Sequence, residues 1–120
     1  AVQVQARTRY GTVCHTRCLQ FDGVRTLWVE DTLTGTDAAA QVCQNFALPP
    51  EAQVQLEQNC CTVHTAGAAM CLTAEAVGGW QLEEYWYSPQ YGHRQRAMRA
   101  CCAQPGGREV TFRTKVLFEV

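Results

Sequence analysis

Residues 110–120 read Val-Thr-Phe-Arg-Thr-Lys-Val-Leu-Phe-Glu-Val, with apolar side chains at most of the even-numbered positions. The first residues repeat the pattern, because polar side chains alternate there with Val2, Val4, Ala6, Thr8 and Tyr10. A period of two with one polar face is typical of a half-buried antiparallel strand. Both ends of the chain are therefore predicted to be strands, each carrying part of the core.

Two further strands are predicted inside the chain. Residues 24–30 are rich in Val, Leu and Trp, and the Asp22-Gly23 pair before them is a turn signal. Leu19-Gln20-Phe21 could form the other arm of a hairpin. Residues 79–87 are the fourth candidate, which Ser88-Pro89 is expected to end.

The middle of the chain is predicted to be helical. Asp37 is a good N-cap for a helix over residues 38–46. The apolar stripe of that helix would consist of Ala39, Val42, Cys43 and Phe46. Residues 66–77 are rich in Ala and predict another helix, whereas residues 51–59 and 93–102 fit either a helix or a strand.

These elements predict an α+β fold class. Residues 1–120 would form a single small disulfide-rich domain, with an antiparallel sheet formed by both termini and the central strands. One to three short helices would lie in the cysteine-rich middle.

The chain has eight cysteines in 120 residues, and an even number in a short chain predicts a disulfide framework. All of them are expected to be paired, namely Cys14, Cys18, Cys43, Cys60, Cys61, Cys71, Cys101 and Cys102. Each bridge would stabilise the fold by roughly 2–4 kcal/mol. Such a framework indicates a secreted, extracellular protein, and we interpret the chain as a mature form without its signal peptide.

A zinc site is the alternative use of these thiols. Cys14 and Cys18 flank His15, and His64 follows Cys60-Cys61. Neither segment has the C-x-x-C spacing of structural zinc sites, so no metal is expected, and no motif predicts a cofactor.

The charge is nearly balanced, because 10 Lys and Arg residues oppose 11 Asp and Glu residues. Phosphate contacts need a surplus of basic side chains, so no nucleic-acid partner is expected. No apolar run is long enough for a membrane span, so membrane insertion is not expected either. The composition leaves the oligomeric state open.

The three histidines, His15, His64 and His93, are the candidates for acid–base chemistry. Two of them, or one with a carboxylate, could cleave RNA or another polymer, and the alternative is that all are ordinary surface residues. The side chains that could complete such a site are Glu30, Glu83, Glu84, Arg94 and Arg96. A serine hydrolase is disfavoured, because Ser88 is the only serine.

Residues 83–94 combine aromatic side chains with a loop-forming Pro and Gly, and further arginines follow. Tyr, Trp and Arg are enriched at binding hot spots. The candidate ligand-binding residues are Tyr85, Tyr87, Tyr91, His93, Arg94 and Arg96. The alternative places Trp80 and Trp86 in the core, with the tyrosines over the sheet edge and residues 93–99 as a solvated basic face.

No catalytic motif is assembled in the sequence, so a non-enzymatic function is favoured. The leading hypothesis is a secreted recognition protein that binds an extracellular protein or glycan: an effector, a toxin, a lectin-like module or an inhibitor. The alternatives are a small secreted nuclease or hydrolase that uses the histidines, and a structural component of an extracellular matrix or coat.

Overall fold

A computed structural model describes residues 2–57, 59–75 and 79–119. These residues form strands, turns and loops without any helix. They consequently contain no helix long and apolar enough to cross a membrane. The predicted α+β fold class is wrong, and the described chain is all-β.

Ten strands lie in the described residues. In chain order they are β1 (Val2–Tyr10), β2 (Val13–Phe21), β3 (Thr26–Thr34), β4 (Gln41–Ala47), β5 (Gln53–Glu57), β6 (Cys60–Thr65), β7 (Ala68–Ala74), β8 (Gln81–Gln90), β9 (His93–Pro105) and β10 (Glu109–Glu119). A seven-stranded sheet has the order β1-β2-β3-β10-β7-β6-β5, and a three-stranded sheet has the order β4-β9-β8. All neighbouring strands are antiparallel, and buried residues of both sheets meet in one core, as in a β-sandwich.

Both terminal strands are confirmed, and both belong to the larger sheet. β10 lies between β3 and β7, and Val110, Phe112 and Val116 on its inner face are buried. The last residue of the predicted strand, Val120, lies outside the described residues. All nine residues of β1, in contrast, are exposed. The prediction that this strand carries part of the core is wrong. The buried core residues of the larger sheet lie on β3, β6, β7 and β10, with partly buried residues of β2 and β5 packed against them, and none of these lies on β1.

The internal strands are confirmed with different ends. β2 and β3 form the predicted hairpin, and its turn is held by the Asp22 carboxylate, which accepts backbone N–H bonds from Val24, Arg25 and Thr26. β3 continues beyond Glu30 to Thr34. β8 continues through Ser88-Pro89 to Gln90, with a register shift after Tyr87, so the predicted end at Ser88-Pro89 is wrong.

The helix predicted over residues 38–46 is wrong, since most of this segment is β4. Asp37 does bond the backbone N–H of Ala39, at 2.9 Å, but it caps a turn and no helix follows. Val42 and Phe46 are four residues apart, which suits a helix face and a strand face equally well. The segment is a strand because β4 pairs with β9 along its length.

The alanine-rich segment is also not helical over its described residues, 66–75. Ala66 and Gly67 form the turn between β6 and β7, with Gly67 at φ +83°, and residues 68–74 are a strand. Residues 76–78 lie outside the described residues. Of the two ambiguous segments, residues 93–102 belong to β9, and β5 occupies residues 53–57 of the other.

The disulfide-rich framework is corrected as well. Cys60 and Cys71 form a disulfide across β6 and β7, and the other six cysteines are free thiols. Because side chains alternate between the faces of a strand, Cys61 points inward and is completely buried, as is Cys102 of the opposite sheet. Burial raises the pKa of the Cys61 thiol to about 11 and, with nearby Cys101, that of Cys102 to about 12.

Apolar packing between the sheets therefore takes the place of covalent stapling. Phe112 and Val63 of the larger sheet are almost completely buried. Trp80 packs edge-on against Phe46, with ring centroids 5.8 Å apart, and its indole N–H donates to the carbonyl oxygen of Asn59 at 2.9 Å. Burying side chains of this size contributes roughly 1.5–3 kcal/mol each.

Candidate functional site

The loop end of the β8–β9 hairpin is the first candidate site. We call residues 86–96 the hairpin tip. Tyr91 at its turn is fully exposed, and Gly92 beside it adopts φ +80°, which favours glycine. The Ser88 hydroxyl lies 2.8 Å from the carbonyl oxygen of His93 and 3.1 Å from that of Gln90. This hydroxyl ties the two strands together just before the turn.

A tryptophan and two arginines meet on one face of the hairpin tip. The guanidinium carbon of Arg94 lies 4.3 Å from the centroid of the Trp86 ring, and that of Arg96 lies 5.4 Å from it. Trp86 is 53% exposed, so the interpretation that it belongs to the core is wrong, whereas Trp80 does lie there. We call Trp86, Arg94 and Arg96 the arginine–tryptophan cluster.

A register shift creates this cluster. Next to the turn, Gln90 pairs with His93, and continuing that register would place Trp86 opposite Ala97. The irregularity between Tyr87 and Gln90 instead places Trp86 opposite Arg96. Pro89 lies in the irregular stretch and has no N–H to donate, which accounts for the interruption of the ladder there.

The structure divides the six sequence-predicted ligand-binding residues among different positions. Arg94 and Arg96 join Trp86, while Tyr91 occupies the turn. Tyr87 lies on the opposite face from Trp86, as strand alternation requires, and His93 begins β9. Tyr85 precedes the tip, and its hydroxyl donates to the carbonyl oxygen of Leu48 at 2.7 Å.

The three histidines do not converge. His15 lies on β2 and His64 on β6, with three strands between them and their side chains on opposite faces of the sheet. At about 4.8 Å per strand, the two strands are roughly 19 Å apart. His93 belongs to the other sheet. Of the carboxylates considered as partners, Glu83 pairs with Arg99, Glu84 with Arg96 and Glu30 with Arg113.

A buried polar network is the second candidate, and the sequence did not predict it. Asp31 of β3 is only 3% exposed and accepts a hydrogen bond from His15 Nε2 at 2.7 Å. It also accepts two from Arg17, at 2.7 and 2.8 Å, and one from Gln44 of the other sheet at 2.8 Å. The Thr114 hydroxyl donates to Gln44 Oε1 at 2.6 Å. These residues, the Asp31 network, connect β2, β3, β4 and β10.

Electrostatics within the Asp31 network favours the charged carboxylate. Burial by itself would raise the pKa of Asp31, but hydrogen bonds from Arg17, Gln44 and His15, with the charge of Arg17, lower it overall. The same contact with Asp31 raises the pKa of Arg17. The signal available in the sequence was an acidic residue between Val29 and Leu33, at the position where alternation places an inward-facing side chain.

The described part of the chain shows where the cysteines and histidines considered for zinc lie. Among these residues, no group of three or more His, Cys, Asp and Glu side chains is placed to hold a metal ion. Cys14 and Cys18 lie on the outer face of β2, and His15 between them points to the inner face, towards Asp31. The spacing considered for zinc therefore does not bring these side chains together.

Comparison with known structures identifies the fold. A crystal structure of the heparan sulfate lyase HepC from Pedobacter heparinus is similar, with a TM-score of 0.83 and 14% identity over 97% of this chain. A heparinase III gene product is similar with a TM-score of 0.77 and 19% identity over 98% of this chain. The chain spans 19% of the length of each of these proteins. No curated protein matches significantly in sequence.

The sequence of residues 3–116 matches a protein family described as Heparinase II/III-like, C-terminal. This match, together with the all-β fold, overturns the interpretation as a small effector, toxin, lectin-like or inhibitor module. It equally overturns the histidine-dependent nuclease or hydrolase and the matrix or coat component. Because the match covers nearly the whole sequence, the chain belongs to the Heparinase II/III-like, C-terminal family.

Proposed function

We propose that this chain is the C-terminal β-sandwich of a polysaccharide lyase that degrades an acidic polysaccharide of the heparan sulfate class. The observation that carries the proposal is the family match over residues 3–116. The similarity to a heparan sulfate lyase over 97% of this chain supports it. Because the chain spans 19% of that protein, the reaction is proposed for a longer protein that contains this sandwich.

The substrate class fits the chemistry of the exposed surface. In an elimination by such a lyase the proton on the carbon next to the uronate carboxylate is removed, a carbon–carbon double bond forms in that sugar, and the glycosidic C–O bond breaks with protonation of the departing oxygen. The substrate is a polyanion, and arginines form bidentate hydrogen bonds with carboxylates and sulfate-like groups. The hairpin tip supplies such arginines outside the core.

We place the protein outside the cytoplasm. The proposed substrate is an extracellular polymer, so the enzyme must meet it there. The disulfide between Cys60 and Cys71 favours an oxidising compartment. A cell-fractionation experiment that finds the protein only in the cytoplasm would contradict this placement.

The test of the function is an elimination assay on the complete protein that contains this chain. Heparan sulfate and chondroitin sulfate are the acidic substrates, and cellulose is the neutral control. The expected result is growth of the ultraviolet absorbance of unsaturated uronate, with shortening of an acidic polymer and none of cellulose. Absence of unsaturated product from every acidic polymer would overturn the proposal.

A further inference from the structure

We propose that the arginine–tryptophan cluster of the hairpin tip binds the carboxylate and sulfate groups of an acidic polysaccharide. This inference rests on the proposed function and assigns a contact for its substrate class. The cluster consists of Trp86, Arg94 and Arg96, which the register shift in β8 brings to one face.

Arg94 carries a charge of the tip that no carboxylate of the tip itself compensates. Residues 85–96 contain no aspartate or glutamate, while Arg94 and Arg96 are cationic. In the described part of the chain, no carboxylate lies within ion-pair distance of Arg94. Its interaction with the Trp86 ring leaves the N–H groups of its guanidinium available to an anion.

The interaction with Trp86 also prepares Arg94 for binding. A guanidinium near an aromatic face is held by attraction to the ring quadrupole, which restricts the orientation of the planar fork. Less side-chain freedom is then lost when the fork engages a carboxylate or a sulfate. The Ser88 hydroxyl contacts with Gln90 and His93 hold the turn nearby.

The ion pair that Arg96 forms within the protein, with Glu84, is weak. Arg96 donates to Glu84 at 2.8 Å, and both side chains are largely exposed. An exposed ion pair of this kind contributes roughly 0–1 kcal/mol, so a polyanion can displace it. A shallow depression of about 170 Å³ lies next to this pair, lined by Glu84, Tyr85, Trp86 and Arg96.

The test measures binding of heparin oligosaccharides to the complete protein by titration calorimetry. Arg94→Ala is expected to weaken binding roughly ten-fold, as for the loss of a charge-assisted hydrogen bond. Arg94→Lys keeps the charge without the planar fork and should fall between Arg94→Ala and wild type. The matched control is Arg108→Ala, an exposed arginine beyond the other end of β9, which should change the affinity less than two-fold.

The outcomes separate a specific site from a general charge effect. Equal weakening by Arg94→Ala and Arg108→Ala, or no weakening by Arg94→Ala, would overturn the inference. A circular dichroism spectrum identical to wild type is the folding control for each variant. If Arg94→Ala weakened binding by misfolding, Trp86→Phe, which keeps an aromatic face, would serve instead, with a smaller loss of affinity expected and no loss overturning the proposal.

The proposed function and this inference can fail separately. Elimination activity with unchanged heparin affinity in Arg94→Ala would overturn the cluster and leave the lyase in place. Loss of affinity in Arg94→Ala without elimination activity in the wild-type protein would support the cluster and overturn the lyase.

Discussion

Two arginines show how differently the Asp31 network and the hairpin tip use the same side chain. Arg17 uses both arms of its fork on Asp31, whose carboxylate is buried and also bonded by His15 and Gln44. Arg94 has no carboxylate partner among the described residues and lies near an exposed indole ring. Arg17 is committed to a buried carboxylate of its own sheet, which Gln44 bonds from the other sheet, whereas the tip arginine remains available to an outside anion. Burial of the partner, and not the type of residue, separates these roles.

Thiol chemistry should give the largest difference between interior and surface. Cys102 is completely buried with a pKa of about 12, so at pH 8 roughly one thiol in 10⁴ would be ionised. We expect iodoacetamide to label Cys102 of the native protein only through unfolding, orders of magnitude more slowly than exposed Cys43. Mass spectrometry of timed samples provides the measurement. Labelling of both cysteines at equal rates would show that the interior is open.

Removing the charge at the centre of the Asp31 network should be the most destabilising of the polar substitutions. Asp31→Asn is expected to lower the free energy of unfolding by about 2–3 kcal/mol, because the buried carboxylate loses the charge that accepts hydrogen bonds from Arg17, His15 and Gln44. Urea denaturation measures the change. The matched control is Glu30→Gln, since Glu30 lies at the surface 3.9 Å from Arg113 and should contribute less than about 1 kcal/mol. Equal effects of the two substitutions would contradict the structural role of Asp31.

Asp31→Asn should also remove part of the stability loss that the wild-type protein undergoes at low pH. Because the folded-state pKa of Asp31 lies below its unfolded value, the ionised carboxylate stabilises the protein above that unfolded value. This stabilisation is lost as the pH falls through the folded-state pKa. The difference in unfolding free energy between wild type and Asp31→Asn should therefore stay constant near neutral pH and shrink below about pH 4. A constant difference down to lower pH would contradict the predicted titration.

A smaller effect is expected at the far end of the Asp31 network. Thr114→Val removes the donor to Gln44 Oε1 in a fully buried position and should cost about 1–2 kcal/mol. Thr111→Val, on the exposed face of the same strand, is the control, with an expected change within about 0.5 kcal/mol. The two denaturation midpoints are compared directly. A Thr114→Val protein as stable as wild type would show that this hydrogen bond contributes little.

Arg94→Ala should have the smallest effect on folding. Its side chain is exposed and lies near an exposed ring, so the free energy of unfolding should change by less than about 0.5 kcal/mol. Thermal or urea unfolding checks this value. A loss of stability as large as that in Asp31→Asn would show that Arg94 is a structural residue and contradict its availability to a ligand.

Sequence reasoning failed where polar residues occupy core positions. Gln44 interrupts the apolar alternation of β4, so Val42 and Phe46 suggested a helix face. Asp31 likewise hid the continuation of β3 beyond Glu30. Each is tolerated in the interior only because the other, with Arg17 and Thr114, satisfies its hydrogen bonds. These hydrogen bonds include contacts between the two sheets, so no local sequence pattern indicates them.

The sequence predicted the candidate site only in part, for a related reason. The aromatic and basic composition pointed to the segment around residues 83–94, but Trp86 was assigned to the core as the alternative. Its place beside Arg94 and Arg96 depends on the register shift after Tyr87. A shift of one residue moves a side chain to the opposite face of a sheet, and composition does not reveal such a shift.

The sequence by itself determined the strands at both termini, the hairpin around Asp22 and the concentration of aromatic and basic residues in one segment. These features depend on the local period of side chains and on turn residues, which a chain carries wherever it folds. Only the tertiary structure decided that β4 and β9 are strands of a second sheet, that Cys60 pairs with Cys71, and that Asp31 is buried. Those outcomes depend on partners distant in the chain, because a strand completes its hydrogen bonds and covers its apolar face only against another element.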